Sequence, residues 1–414
     1  MNKNPSQVDL IREAFLYQSR FQGSTMVFKI DFSVTEDPCF SYLIKDLALL
    51  AKTGFKIVIV PGEKESLNSA LTEMEVFQSA SRYMTFLSGS RVDAVIGNFI
   101  RARGLGIIDG VDMEHSGTVD KIYIDSISRV LNLGIVPILP CMGWSPRGKP
   151  YNVPGDEIAL KVSAALGAVK LFIISTGNHL KGLSRLPESI ETREDGSIIK
   201  LTPAQTEEVI LSLTNIQLRN ELDLALKASK AGIERIHIVD GREEGAVLKE
   251  LFSNIGIGTM VYSDKYESIR PLRSRDLPDI LHLMEPLMRT GILIQRTPEQ
   301  IREKKDDYYV YDIDDCVHAC GALHDWGGGQ GEIAAISADP MYAGMNLGRR
   351  IVDYLIDKAR KCNLNRVFVL TTKTQDWFES FGFRETSIES LPEKKQQLYD
   401  HQRKSMIFAL ELNE

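Results

Sequence analysis

The 414-residue chain has no apolar run of the ~18 residues needed to span a bilayer. Its opening residues, MNKNPSQVDLIREAF, hold no apolar stretch of the kind that opens a secretory signal. A basic excess is also missing: 49 Lys and Arg stand against 56 Asp and Glu, for a formal net charge of -7 and a pI near 5.7. Generalised binding to nucleic acid or to an anionic membrane, which needs a basic face, is therefore not expected. A small anionic ligand needs only a few local basic groups. Cysteines are few and odd in number, Cys39, Cys141, Cys316, Cys320 and Cys362, and the chain is long enough to fold without cross-links, which points to a reducing compartment. There is no fixed-period repeat and no low-complexity tract. What is present is 43% apolar and 25% charged residues, enough for sizeable cores and against wholesale disorder. At roughly 100–200 residues per domain, the length suggests two or three domains. A soluble cytoplasmic protein of more than one domain is expected.

Over residues 25–262, short apolar runs alternate with helical patterns. Met26–Ile30, Lys56–Val60, Gly134–Leu139, Lys170–Ile174 and Arg235–Val239 read as strands, several of them continuous enough to be buried on both faces. Phe40–Thr53, Leu67–Ala80, Glu157–Leu166 and Pro203–Leu213 read as helices, the first stopped by Gly54. This predicts an α/β fold with a parallel-core open sheet and helices on both faces. Val8–Ser19 adds an amphipathic helix in front. The polar stretch Ser263–Ser268 reads as a linker. Beyond it come helices Leu277–Met288 and Pro298–Lys305, strands Tyr308–Ile313, Cys316–His324 and Gly331–Ser337, helix Gly348–Lys361 and strand Arg366–Leu370, an α+β module. The expected domains are 1–264 and 268–414.

Chemistry concentrates in GEIAAISADPMYAGMNLGRRIVDYLIDKARKCNLNRVFVLTTKTQDWFESFGF, residues 331–383. A turn that runs straight into a helix leaves backbone N–H groups open to a pyrophosphate, and Arg349 and Arg350 add charge there. On the glycines alone, an ordinary strand–turn–helix connection is the simpler reading. The order strand, loop, helix, strand and W-F-x-x-x-G-F resembles the GNAT acyl-CoA acetyltransferase family from about Leu272 to the C-terminus. The family's pyrophosphate loop, [Q/R]-x-x-G-x-[G/A], is altered: Ala343 and Asn346 replace two positions, and Gly348 matches. GILIQRTPEQI (291–301), VFVLTTKTQDWFESFGF (367–383) and SLPEKKQQLYDHQRKSMIF (390–408) are similar to the acetyltransferase domain of the N-acetylglutamate synthase family.

Acetyl transfer to an amino acid requires a base for the ammonium, a polarised thioester carbonyl and clamps for carboxylates. The resemblance implies Glu332 as the base, a role typically worth ~10²–10⁴-fold. It implies Arg296 and Arg403 as clamps, where a planar guanidinium matches a carboxylate in two bonds. Ile294 and Thr374 would line the substrate site. Backbone N–H groups at Ile336 and Ala338 would polarise the carbonyl, and Met345, Asn346, Gly348 and Arg349 would hold acetyl-CoA. No acid for the leaving thiolate is evident; Tyr399 and Thr374 are candidates. Cys316-x-His318-x-Cys320 would align on one strand face, but it lacks a fourth ligand and zinc-like spacing, so strand residues are expected and no metal.

Residues 25–262 resemble the amino-acid kinase family, in its acetylglutamate kinase branch, through DLALLAKTGFKIVIVPG (46–62), GIVPILPCMGW (134–144), YNVPGDEIA (151–159) and GIERIHIVDGR with LKELFSNIGIGTM (232–260). The family's K-x-G-G is here Lys29-Ile30-Asp31-Phe32, and its second glycine loop is Pro61-Gly62-Glu63. Its G-G-M-x-P-K element has no counterpart in Leu211–Ala231. Phe32 would obstruct a phosphate and Asp31 would repel it, so a structural or regulatory domain without phosphoryl transfer is expected. In arginine-sensitive relatives an N-terminal helix and an E-G-I-G-T segment form an effector site. His237, Gly256 and Gly258 match it, but Ile255 stands where the acid would be, with Glu250 as a possible substitute. The same helix joins dimers into hexamers in the family, so a homo-oligomer is implied.

The resemblance implies an amino-acid N-acetyltransferase acting on L-glutamate and acetyl-CoA, the first step of arginine biosynthesis, with arginine as a possible effector and no nucleic-acid or membrane partner. Acetylglutamate kinase activity in the first domain, or a non-catalytic amino-acid and CoA sensor, are the rival readings. The missing glycines oppose the first; intact Arg296, Glu332 and Arg403 oppose the second.

Overall fold

The computed structural model describes residues 15, 17–19, 21–63, 73–177, 180, 190, 192–252, 256–262, 267–313, 316–340, 342 and 346–412. The chain divides into two compact units, Met1–Lys265 and Tyr266–Glu414.

In the first unit, β1 (Thr25–Ile30) leads through α1 (Phe40–Lys52) to β2 (Lys56–Pro61), α2 (Glu73–Gly89) and β3 (Ala94–Ile96). Then come β4 (Ile100–Gly104), the short strands β5 (Ile107–Ile108) and β6 (Val111–Asp112), β7 (Gly117–Ile122), α3 (Ile124–Asn132) and β8 (Val136–Ile138). Next are β9 (Met142–Trp144), β10 (Pro150–Asn152), α4 (Gly155–Leu166), β11 (Lys170–Ser175), β12 (Lys200–Leu201) and α5 (Pro203–Ser212). The unit closes with α6 (Ile216–Lys230), β13 (Arg235–Asp240), α7 (Ala246–Phe252) and β14 (Thr259–Tyr262). The main sheet has the order β12-β14-β13-β11-β1-β2-β8-β3. β1 runs parallel to both β2 and β11, and only β14 is antiparallel to its neighbour β13. Side chains alternate between two cores, as the strand repeat requires. Val27, Val58, Leu171 and Ile236 pack with Ile158 of α4 and Leu222 of α6. Met26, Phe28, Ile57 and Phe172 pack with Leu43 of α1, Tyr83 of α2 and Val247 of α7.

Several boundaries differ from the sequence expectation. The helix expected at 67–80 is seen as Glu73–Gly89, and 67–72 lie outside the described residues, as does most of the expected helix at 8–19. Helix α4 starts two residues early, at Gly155 directly after Pro154, and it stops at Gly167 with φ +59°. The strand expected from Gly134 begins at Val136, after a left-handed Gly134. A second sheet, β10-β9-β4-β7, and the β5–β6 hairpin were not read from the sequence. Nor was α6, which fills most of Leu211–Ala231.

The second unit runs β15 (Glu267–Pro271), α8 (Leu277–Arg289), α9 (Pro298–Glu303), β16 (Tyr308–Ile313), β17 (Cys316–Asp325) and β18 (Gln330–Ala338). It continues with α10 (Leu347–Lys361), β19 (Arg366–Thr371), α11 (Gln375–Glu379), β20 (Arg384–Thr386), α12 (Glu393–Gln397) and β21 (Met406–Glu411). The sheet order is β15-β16-β17-β18-β19-β21-β20, with β18–β19 its one parallel pairing. Helix α10 covers one face through Ile351, Leu355 and Ala359, and α8 covers the other through Ile280 and Met284. Ser268, expected in a linker, already pairs with Asp312 in the sheet. Arg270 anchors this edge: its guanidinium bonds Asp276 (2.6 and 3.0 Å) and Asp312 (2.7 Å). The expected alignment of Cys316, His318 and Cys320 is broken, because the register slips between Tyr311 and Asp312 and leaves His318 as the extra residue of a bulge. His318 turns to Asp339 and Tyr342, while Cys320 is buried against the Ala335 carbonyl. Among the described residues no His, Cys, Asp or Glu cluster could hold a metal.

Candidate active site

Strands β18 and β19 pair only from Gln330↔Arg366 to Glu332↔Phe368, whereas β19 goes on pairing with β21 as far as Thr371↔Met406. The cause lies in β18. Its register against β17 slips between Ala334 and Ser337, and Ala335 adopts φ +57°. A bulge of this kind bends a strand and turns it from its neighbour. Beyond Glu332, β18 therefore has an open edge towards β19. Asp339 donates its N–H to the His318 carbonyl on β17 (2.8 Å), so by strand alternation Ala338 and Ile336 turn theirs to the open side. The chain then enters α10 through Asn346, a left-handed N-cap at φ +51°. Leu347 and Gly348 sit in the first turn, whose N–H groups lack helical partners. Arg350 donates to the Tyr311 hydroxyl (2.7 Å), so Arg349, stacked on Phe381, is the more available cation at this helix end. Met345 lies outside the described residues.

Glu332 sits at the fork, where the two strands part. It is 6% exposed and not a surface carboxylate. Lys395 of α12 donates to both its oxygens at 2.8 Å, and Trp326 Nε1 donates to Oε2 at 3.0 Å. The lysine also lies over the Trp326 ring, 5.0 Å from its centre. Neither partner was singled out from the sequence. Lys395 lies 63 residues from Glu332, and only the long 390–408 string drew attention to its segment.

Arg296 and Arg403 converge on one stretch of backbone. Arg296 Nη1 donates to the Ile294 carbonyl (3.3 Å), and Arg403 Nη2 to those of Ile292 (2.5 Å) and Gly291 (3.3 Å). Burial, then the Arg296 charge, lowers the Arg403 guanidinium from its usual range. Burial raises the Tyr308 hydroxyl, opposed by Arg296 and reinforced by Glu332, so Tyr308 lies within electrostatic reach of both. Burial pushes the Cys320 thiol up to about 12. Ile294 is exposed beside the arginines. Thr374 bonds Thr371 at the end of β19 (2.7 Å). The acid role expected of Tyr399 has no geometric support: its hydroxyl donates to the Ser405 carbonyl (2.6 Å) and closes that turn.

In the first unit, the strand ends hold carboxylates where an anion would need donors. Lys29 Nζ pairs with Asp31 (2.5 Å) and Asp156 (2.9 Å). Burial alone would lower the lysine, but these two acids outweigh it and raise its pKa. Glu63 accepts the Gly155 N–H (3.2 Å) at the start of α4, and a Cβ on Gly62 would lie 2.7 Å from Asp31 Cα. Farther along, His237 Nδ1 bonds Glu250 Oε1 (2.7 Å), and Glu250 Oε2 accepts the N–H groups of Ile257 and Gly258 (2.8 Å each). Burial, then Lys170, lowers His237 to about 4. Burial raises Glu250, but its hydrogen bonds outweigh that and hold it below the usual carboxylate value. The two glycines are required by this wrap: a Cβ at Gly256 would lie 2.5 Å from Glu250 Oε2, and one at Gly258 2.3 Å from the Ile238 carbonyl. Glu250 thus serves the loop, and Ile255 lies outside the described residues.

Residues 272–383 match the acetyltransferase (GNAT) family, and residues 26–187 match the amino acid kinase family. The amino-acid acetyltransferase of Pectobacterium carotovorum is 30% identical over 440 residues, covering 97% of each chain. That of Escherichia coli is 29% identical over 447 residues, covering 98% of each. The crystal structure of N-acetylglutamate synthase from Neisseria gonorrhoeae complexed with coenzyme A and L-arginine superposes with a TM-score of 0.85 at 27% identity, covering 99% of this chain and 100% of that one. A second structure of that enzyme, with coenzyme A and N-acetyl-glutamate, gives 0.59 at 29% identity and the same coverage. Among the described residues no helix is long and apolar enough to cross a membrane. An N-terminal amino-acid kinase-like unit joined to a GNAT unit over the full length of these relatives places the chain in the amino-acid acetyltransferase (N-acetylglutamate synthase) family.

Proposed function

We infer that the protein transfers the acetyl group of acetyl-CoA to the amino group of L-glutamate, giving CoA and N-acetyl-L-glutamate, the first step of arginine biosynthesis. The observation that carries this reading is the end-to-end match to a synthase crystallised with coenzyme A and N-acetyl-glutamate. The open edge of β18 and the start of α10 supply the cosubstrate side. Asn346, Gly348, Arg349 and Met345 would hold the pyrophosphate, and the Ile336 and Ala338 N–H groups would meet the thioester oxygen, where such donors stabilise developing negative charge. Arg296 and Arg403 would take the carboxylates of glutamate, with Ile294 and Thr374 beside them. Glu332 accepts one proton from the substrate ammonium. The freed amine forms the C–N bond, the C–S bond breaks, and the proton the nitrogen sheds on becoming an amide passes to the departing thiolate, which leaves as the CoA thiol. A thiol-release assay tests the reading over a panel of amino acids. Release that depends on glutamate and falls at least ~10²-fold in Glu332→Gln is expected; no release with any amino acid from the pure enzyme rejects it.

The first unit, on this reading, is regulatory. Its Lys29 cluster supports a loss of phosphoryl transfer, and ATP turnover with acetylglutamate would contradict that. The relative crystallised with L-arginine favours an arginine site at His237, Gly256 and Gly258. Activity measured with and without arginine tests it, and an unchanged rate at saturating arginine rejects it.

A further inference from the structure

The way Glu332 is held distinguishes its two oxygens. A carboxylate offers about four acceptor directions. Lys395 takes one on each oxygen, and Trp326 takes a second on Oε2. Only Oε1 keeps a direction open among the described residues. The two donors brace each other, since the ammonium rests on the indole face. Each is anchored apart from Glu332: Trp326 by its backbone N–H to the Gln330 carbonyl (3.0 Å), and Lys395 by its backbone N–H to the Pro392 carbonyl (2.8 Å). The segment carrying Lys395 is pinned in turn by Gln396, whose side chain donates to the Leu391 carbonyl (2.8 Å).

We propose that Lys395, braced by Trp326, is a positioning residue that holds Glu332 in one orientation and leaves Oε1 as the atom that accepts the substrate proton. This rests on the reading of Glu332 as the base. A base must lie within hydrogen-bond reach of the proton it takes, and a displacement of about 1 Å can cost ~10²-fold. Lys395 contacts Glu332 and the Trp326 ring, so its influence on the rate passes through the carboxylate.

The test is a double-mutant cycle on the full-length enzyme, read as kcat and both KM values, with thermal unfolding followed for each variant. Lys395→Met lowers kcat by about 10–100-fold, with both KM values within about threefold. Lys395→Arg, which keeps a cation and two donors, recovers most of that loss. Trp326→Phe, which removes one donor, lowers kcat by about 3–10-fold. The diagnostic variant is Glu332→Gln with Lys395→Met, which is no slower than Glu332→Gln alone, because a lysine that acts through the carboxylate has nothing left to position. If Lys395→Met retains the wild-type kcat, or slows the Glu332→Gln enzyme by its full factor again, the proposal is overturned while the base assignment stands. If Glu332→Gln itself keeps the wild-type rate, the base assignment fails, and the positioning role fails with it. Should Lys395→Met not fold, the same cycle with Trp326→Phe decides the question.

Discussion

Glu221 offers a direct measure of what burial does to a carboxylate in the first unit. It lies on α6 with 4% of its surface exposed, and Gln217 donates to it at 3.1 Å. Burial, reinforced by Asp31 and opposed by Lys29, raises its carboxyl from 4.5 to about 7. Below pH 4.5 both folded and unfolded chains hold the proton, and the group is neutral in its effect. Between pH 4.5 and 7 the unfolded chain has lost the proton while the folded chain keeps it, so stability falls as pH rises. Above pH 7 the loss is complete, at about 3 kcal/mol, since every tenfold change in proton affinity is worth about 1.4 kcal/mol. Glu221→Gln removes the titration and keeps the shape. The gap in stability between the variant and the wild type should therefore widen in favour of the variant by about 2–3 kcal/mol from pH 5 to pH 8. For a unit of this size that is on the order of 5–10 °C in Tm. Scanning calorimetry of the intact chain at both pH values reads it from the transition that moves with the substitution. A gap that stays constant, or that narrows at pH 8, refutes the reasoning.

Arg270→Ala leaves Asp276 and Asp312 buried without their cation, so the second unit should lose about 3–5 kcal/mol in thermal or urea unfolding. Arg270→Lys should recover only part, because one ammonium cannot reproduce the fork between two carboxylates. Gly256→Ala forces a side chain into a left-handed backbone at φ +64° and against Glu250, for a loss of about 1–2 kcal/mol in thermal unfolding; if the proposed arginine site holds, it also weakens the response to arginine. Arg403→Lys should raise the KM for glutamate by about 10–100-fold, through the loss of a paired charge-assisted bond worth about 1.5–3 kcal/mol, while the KM for acetyl-CoA stays within about twofold.

The parts of the fold that could be read from the chain were those whose pattern is long and repeats. The runs Lys56–Val60 and Lys170–Ile174 are continuous and apolar, and they became β2 and β11, buried on both faces. The strand Tyr308–Ile313 was placed with its bounds intact. The small sheet of β4, β7, β9 and β10 escaped because its strands are short and mixed: IRARG carries two arginines and MGW has three residues, too few for a period to show. The slip at His318 escaped for a related reason, since a bulge is set by the partner strand and leaves no mark in its own segment. Among the candidate site residues, Arg296 and Arg403 could be singled out because each sits in a string similar to the synthase family, and Glu332 because it stands on the strand of the 331–383 stretch that resembles the acetyltransferase family. Lys395 and Trp326 could not, although they hold the carboxylate: Lys395 reaches it across 63 residues, and Trp326, six residues away, meets it only through the turn between β17 and β18, so both contacts are properties of the fold and not of either segment.

The two units handle positive charge in opposite ways, and a net charge of -7 conceals the difference. In the first, Lys29 is neutralised by Asp31 and Asp156, and Glu63 occupies the leading N–H of α4. A polyphosphate at these strand ends would face three carboxylates, Asp31, Asp156 and Glu63. Each like-charge contact near 4 Å costs about 4 kcal/mol at an effective dielectric of 20. In the second unit, the Arg296 and Arg403 side chains bond, among the described residues, only backbone carbonyls, which carry no net charge. Neither forms an ion pair with any described residue, and the nearby Asp400 accepts the Arg403 backbone N–H. Each guanidinium has five N–H donors, so most remain for an incoming anion. On the proposed reading of Arg296 and Arg403 as carboxylate clamps, the two cations repel each other until carboxylates lie between them; glutamate brings two carboxylates and its amide only one, so glutamate relieves the repulsion more fully. On that reading, charge placement favours glutamate over its amide.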